Sequence, residues 1–119
     1  MGMPELAPED AKLVTLARSV RARTGAAEGA AVRDLDGRTY AGASVALPSL
    51  TLTALQVCVA MAVSSGARGL EAAVVLVEDP DVDVDAAAAG ELAGGAVPVL
   101  VGDHRGTIAR TDTTDGGGR

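Results

Sequence analysis

Five carboxylates fall within eight residues at "EDPDVDVD": Glu78, Asp79, Asp81, Asp83 and Asp85. Alternating oxygens of this kind could hold a hard cation such as Ca²⁺ or Mg²⁺. A helix–loop–helix calcium site needs glycine at its sixth position and glutamate at its twelfth; counted from Asp81, those places are Ala86 and Leu92. The plainer reading is a solvated acidic loop in which Asp85 caps a short helix. Other reactive groups are few. Cys58 is the only cysteine and His104 the only histidine. Cys58 sits in "VCVAM" and reads as a packed core thiol rather than a nucleophile or ligand. His104 lies in the turn "GDHRG", where a lone histidine is expected to face solvent. On a helix, Cys58 would lie about 140° around the axis from Thr53, so the two would not converge on a metal. Tyr40, the one aromatic residue, could stack on a ligand or sit half-buried in a strand. No phosphate loop, nucleophile elbow or Cys-His arrangement is present.

The elements that must position these groups can be read in order. "PEDAKLVTLARSVRART" predicts a helix: Pro8 suits the first turn, Glu9 and Asp10 favour its positive end, and Gly25 stops it. Asp36-Gly37 predicts a hairpin turn between strands Ala30–Arg33 and Thr39–Ala46, with Pro48 ending the second. Leu52–Val63 is interrupted only by Thr53 and Gln56 and predicts a buried helix. "LEAAVVLVE" predicts a strand covered on both faces. A short alanine-rich helix from Ala86 to about Ala93 follows, and "AVPVLVGDHRGTIAR" predicts a second hairpin. The order helix, strand, strand, helix, strand, helix, strand, strand is that of an α/β fold with a mixed sheet between helical layers. One domain over residues 1–110 is expected, with a disordered glycine-rich tail at 111–119.

Composition excludes several functions. The 119 residues carry 10 basic and 16 acidic side chains, a net charge of −6, and no Phe or Trp. An acidic chain without stacking platforms is a poor nucleic-acid binder. No apolar run is long enough to span a membrane. The acidic start "MGMPELAPEDAK" has no apolar signal region, and the single cysteine suits a reducing compartment, so a cytoplasmic protein is expected. A core built from small side chains buries little area per residue, which favours a homodimer or homotetramer that buries more between subunits.

These local sequences resemble the small cytidine deaminases. "GAAVRDLDGRTYAGASV" is similar to that family's first hairpin, "AMAVSSGARGLEAAVVL" to the end of its catalytic helix and the next strand, and "VPVLVGDHRGTI" to its closing hairpin. The likeness runs from about Leu13 to Ile108. It implies a three-layer α/β/α fold with a five-stranded mixed sheet. It also implies zinc hydrolysis, in which three protein ligands hold the metal and a glutamate shuttles protons. Aligned on "AVSSG", however, Thr53 falls at the first zinc ligand and Leu55 at the catalytic glutamate. The substrate-binding Asn and Glu of the second strand fall on Ser44 and Ala46. Gln56 takes the place of an Arg that often follows the glutamate. The second ligand helix would lie near Pro80–Ala89, which contains no cysteine. The chain is about two residues short between Ala46 and Leu52, but a slip does not restore the site: Thr39–Ser65 contains no His, Asp or Glu.

The expectation is therefore a catalytically inactive deaminase homologue without zinc. Ser44, Ala46, Thr53, Leu55 and Gln56 would mark a degenerate pocket. Its partner would be a second copy of itself, a neutral small molecule such as a nucleoside, or another protein. The acidic loop at the mouth would repel anionic ligands. Thr53 and Gln56 either line a residual polar pocket or bond to neighbouring backbone or a second subunit. The alternatives are an active hydrolase with a rebuilt site, drawing on Asp103, His104 or the acidic loop, and an unrelated small α/β domain.

Overall fold

The computed structural model describes residues 6–114. A five-stranded sheet in the order β2-β1-β5-β6-β7 forms the middle layer. Its strands are β1 (Gly29–Asp34), β2 (Thr39–Ala43), β5 (Leu70–Leu76), β6 (Pro98–Gly102) and β7 (Ile108–Thr113). The β5–β6 pair is parallel and the other three pairs are antiparallel. The helices are α1 (Pro8–Thr24), α2 (Ala54–Ser64) and α3 (Ala87–Ala93).

The period of two along β5 explains the three layers. Ala72, Val74 and Leu76 turn to one face and pack with Leu13, Val14 and Ala17 of α1. Ala73 and Val75 turn to the other and pack with Leu55, Cys58 and Val59 of α2 and Ala89 of α3. A strand covered on both faces must be apolar where it is covered, as Ala72–Leu76 is; Glu71, near the start of β5, stays exposed and pairs with Arg33. Small residues let the layers close up. A Cβ added at Gly42 on β2 would lie 2.6 Å from Val57 Cγ1 on α2, so only glycine admits that approach. Cys58 is fully buried at this junction, and burial pushes its thiol pKa up to about 12.

The sequence-based expectations hold for the sheet, both hairpins and the buried helix, with three differences. The second strand does not run on to Ala46. It ends at Ala43, and the chain forms a separate two-stranded ribbon, β3 (Val45–Leu47) and β4 (Leu50–Leu52), turning at Pro48-Ser49. That ribbon delays α2 to Ala54. The second concerns Asp85: α3 begins at Ala87 and its N-cap residue is Ala86, with no side-chain cap. The Asp85 carboxylate instead accepts from the Ala87 amide at 3.0 Å, a local turn. The third concerns the expected tail. β7 carries order through Thr113, and Thr114 closes it, with Oγ1 accepting from Val97 N and donating to Gly95 O. The rest of the expected tail, 115–119, and the acidic first five residues lie outside the described residues. Among the described residues, no helix is long and apolar enough to cross a membrane.

Candidate ligand pocket

A cavity of about 350 Å³ opens at the N-terminus of α2. Its apolar floor is Leu55, Val75 and Val77. The loop after β5 walls one side with Glu78, Asp79, Val82, Asp83, Val84 and Asp85, and Ala27, Glu28 and Thr53 close the other. The lining has five carboxylates and no basic residue, so its field disfavours anions.

Local sequence builds this corner. Thr53 is the N-cap of α2: its Oγ1 accepts from Gln56 N at 3.1 Å, and Gln56 Oε1 accepts from Thr53 N at 2.9 Å. This reciprocal pair is a capping box, written in the sequence as T-x-x-Q. Glu28 completes the helix end, its Oε1 accepting from Ala54 N at 3.1 Å. A carboxylate there also meets the positive end of the helix dipole. Ser44 holds Glu28 by its backbone: Ser44 Oγ accepts from Glu28 N at 3.0 Å, and Ser44 N donates to Glu28 O at 3.1 Å.

Of the five residues singled out from sequence, Thr53 and Leu55 line the cavity. Ser44 stands one step behind it, through Glu28. Gln56 is spent on the cap, and Ala46 lies exposed on the β3–β4 ribbon. Glu28 was missed. It precedes its strand without a motif, and only the folding of β1 against α2 brings it to the helix end. Arg110 was missed as well. Its guanidinium donates to Pro80 O, to Val82 O at 3.1 Å and to Asp112 Oδ1 at 3.0 Å, and so ties the acidic loop to β7. Asp79 and Asp85 turn carboxylate oxygens to backbone amides of their own loop. Among the described residues, no three His, Cys, Asp or Glu side chains gather as metal ligands.

A family model described as "Cytidine deaminase-like" matches residues 6–116. The chain belongs to the cytidine deaminase-like family. Solved structures agree on the fold. Cytidine deaminase from Burkholderia pseudomallei superposes with a TM-score of 0.72 at 22% identity, over 90% of this chain and 92% of that one. The enzyme from Mycobacterium leprae superposes with a TM-score of 0.65 at 20% identity, over 91% and 94%. A comparison with curated proteins finds no match.

Zinc chemistry asks for thiolate or imidazole donors around an open position. The residues present do not fit it. Thr53 accepts from its own helix, Leu55 has no donor, Cys58 is sealed in the core, and His104 does not line the cavity. Neither Thr53 nor Leu55 can act as the zinc ligand or the proton shuttle of that chemistry.

Proposed function

We propose that this protein is a cytidine deaminase-like protein that has kept the pocket and given up the reaction, and that it binds a small neutral ligand such as a nucleoside. One observation carries this reading. The helix start that would present a metal ligand and a proton shuttle presents a capping threonine and a leucine to a cavity that remains open. The volume suits a small molecule. The carboxylate rim favours a nucleoside over its phosphates. The test is ammonia release from cytidine with zinc supplied, alongside calorimetric titration of cytidine and cytidine monophosphate. The expected result is no turnover, with the nucleoside binding and the monophosphate much weaker. Sustained ammonia release would favour the alternative, an active hydrolase with a rebuilt site.

A second reading, assembly with a further copy, rests on a different observation. From Thr39 to Ala67 the chain has no charged residue. Leu47, Leu50 and Val63 within it are 57%, 48% and 55% exposed. Two chains of net charge −6 repel, so a symmetric contact is best made where neither carries charge. Sedimentation would read this directly. A concentration-independent monomer, unchanged in Val63→Glu, would remove the reading.

A further inference from the structure

A second concavity, of about 390 Å³, has the opposite chemistry. It is lined by Thr15, Arg18, Ser19, Arg21 and Ala22 of α1 and by His104 of the β6–β7 turn. Residues 15, 18, 19 and 22 share one helix face by their spacing. Gly106 brings the turn against that face: a Cβ there would lie 2.7 Å from Arg18 Cδ and 2.9 Å from Val14 Cγ1. The arginine stem therefore lies across the turn, and Arg18 and His104 line the same concavity.

Nothing acidic lines this groove. Asp103, the carboxylate of the turn, is spent locally, with Oδ1 accepting from Arg105 N at 2.9 Å and Thr107 N at 3.1 Å. The ion pairs among the described residues join Arg33 to Asp10 and Glu71, and Arg110 to Asp112. Arg18 and Arg21 have none, although acids outnumber bases in the chain by 16 to 10. Arg21 donates only to Ala26 O, at 3.2 Å, and its buried Nε has no acceptor. His104 Nε2 donates to Ala27 O at 2.9 Å, so Nδ1 of the neutral ring is an acceptor and the imidazole anchors the turn to Ala27 rather than donating to an anion. The exposed Arg18 guanidinium, the remaining donor group of Arg21 and the Ser19 hydroxyl, on a groove lined by no carboxylate, match the several oxygens of a tetrahedral oxyanion, while the Thr15 hydroxyl is already spent on Ala11 O at 3.2 Å.

We propose that this groove binds a phosphate group, either as the free ion or as the monoester of a small molecule. It is separate from the ligand pocket in charge and in lining residues. The two touch through one segment: Arg21 and His104 hold the carbonyls of Ala26 and Ala27, and Ala27 with Glu28 lines the pocket. Occupancy of the groove should therefore be felt at Ala26–Glu28.

The test is a titration of the full chain followed by amide and arginine Nε–H resonances. Inorganic phosphate, methyl phosphate and acetate are added separately, with potassium chloride holding ionic strength constant. Saturable shifts at Ser19, Arg21, His104, Ala26 and Ala27 are expected with phosphate or its ester, while the acidic loop stays still. Saturation by phosphate but not methyl phosphate would assign the free ion; saturation by both would admit a monoester. Arg18→Gln should weaken binding at least tenfold, and Arg18→Lys, which keeps charge without the fork, should weaken it less. Arg21 packs over Gly29, so Arg18, whose head is exposed, is the safer position to change. Shifts that grow linearly and equally with every anion would overturn the proposal. So would acetate binding as well as phosphate, or unchanged binding in folded Arg18→Gln.

Discussion

Replacing Thr53 with Ala tests what the residue does at the start of α2. The change deletes the Oγ1 that accepts from Gln56 N and leaves the Gln56 Oε1 contact to Thr53 N in place. Loss of a helix cap of this type costs about 1 kcal/mol, within a range of roughly 0.5–2. The amide is half-buried, and Glu28 already serves the neighbouring Ala54 amide, so the middle of that range applies. For a domain of this length, about 1 kcal/mol lowers Tm by roughly 3–6 °C. Thr53→Ser keeps the acceptor and should lose only a few tenths of that. In a double-mutant cycle, Thr53→Ala and Gln56→Ala should lose less together than the sum of the two, because the box is reciprocal. Urea denaturation of the wild type and these four variants at neutral pH reads all these values. The reasoning fails if Thr53→Ala is neutral, or if serine costs as much as alanine.

Three further outcomes follow from single side chains. Asp34 is 1% exposed, and although burial opposes its charge, bonds from Tyr40 Oη and from the Arg38 and Asp36 amides hold its pKa below the ordinary value. Its contribution is therefore full above the unfolded pKa of about 3.9 and fades as pH falls through the lower folded value. Asp34→Asn should cost about 1–3 kcal/mol at pH 7 and less below pH 4; a loss independent of pH would contradict this. Cys58, buried and held neutral, should resist thiol reagents at pH 8 in the native protein and react as one thiol per chain in denaturant; prompt native labelling would mean the α2 core opens. Arg110→Ala should speed hydrogen exchange in residues 81–85 by about tenfold while global stability falls by only about 1 kcal/mol. An unchanged loop would show that the Pro80 and Val82 contacts do not hold it.

What was legible in the sequence was local and periodic. The α1 signals Pro8, Glu9, Asp10 and Gly25 gave both ends of the helix, and Asp36-Gly37 gave the first hairpin. The apolar run Ala72–Val77 marked the central strand. The β3–β4 ribbon was not legible. Its strands are three residues each, and their leucines continue the apolar run that leads into α2, so no change of period marks them. The cap is written in T-x-x-Q, and of the two alternatives for Thr53 and Gln56 their bonding to neighbouring backbone is the one both residues follow. β7 runs past Arg110, where the expected hairpin ended, because "IARTDT" alternates more buried and exposed residues, a pattern that its polarity disguises. Glu28 and Arg110 act across the fold, Glu28 on an amide 26 residues away and Arg110 on a carbonyl 30 away, and no spacing rule reaches that far.

The most direct measurement is zinc per chain by elemental analysis, on tag-free protein purified without chelators and then offered zinc, with ammonia release from cytidine followed on the same sample. Thr53, Leu55 and a cavity without thiolate or imidazole predict a zinc content near zero and no ammonia above the protein-free control. About one zinc per chain together with sustained ammonia release would contradict the loss of chemistry, and would turn attention to Cys58, His104 and the acidic loop as the ligands.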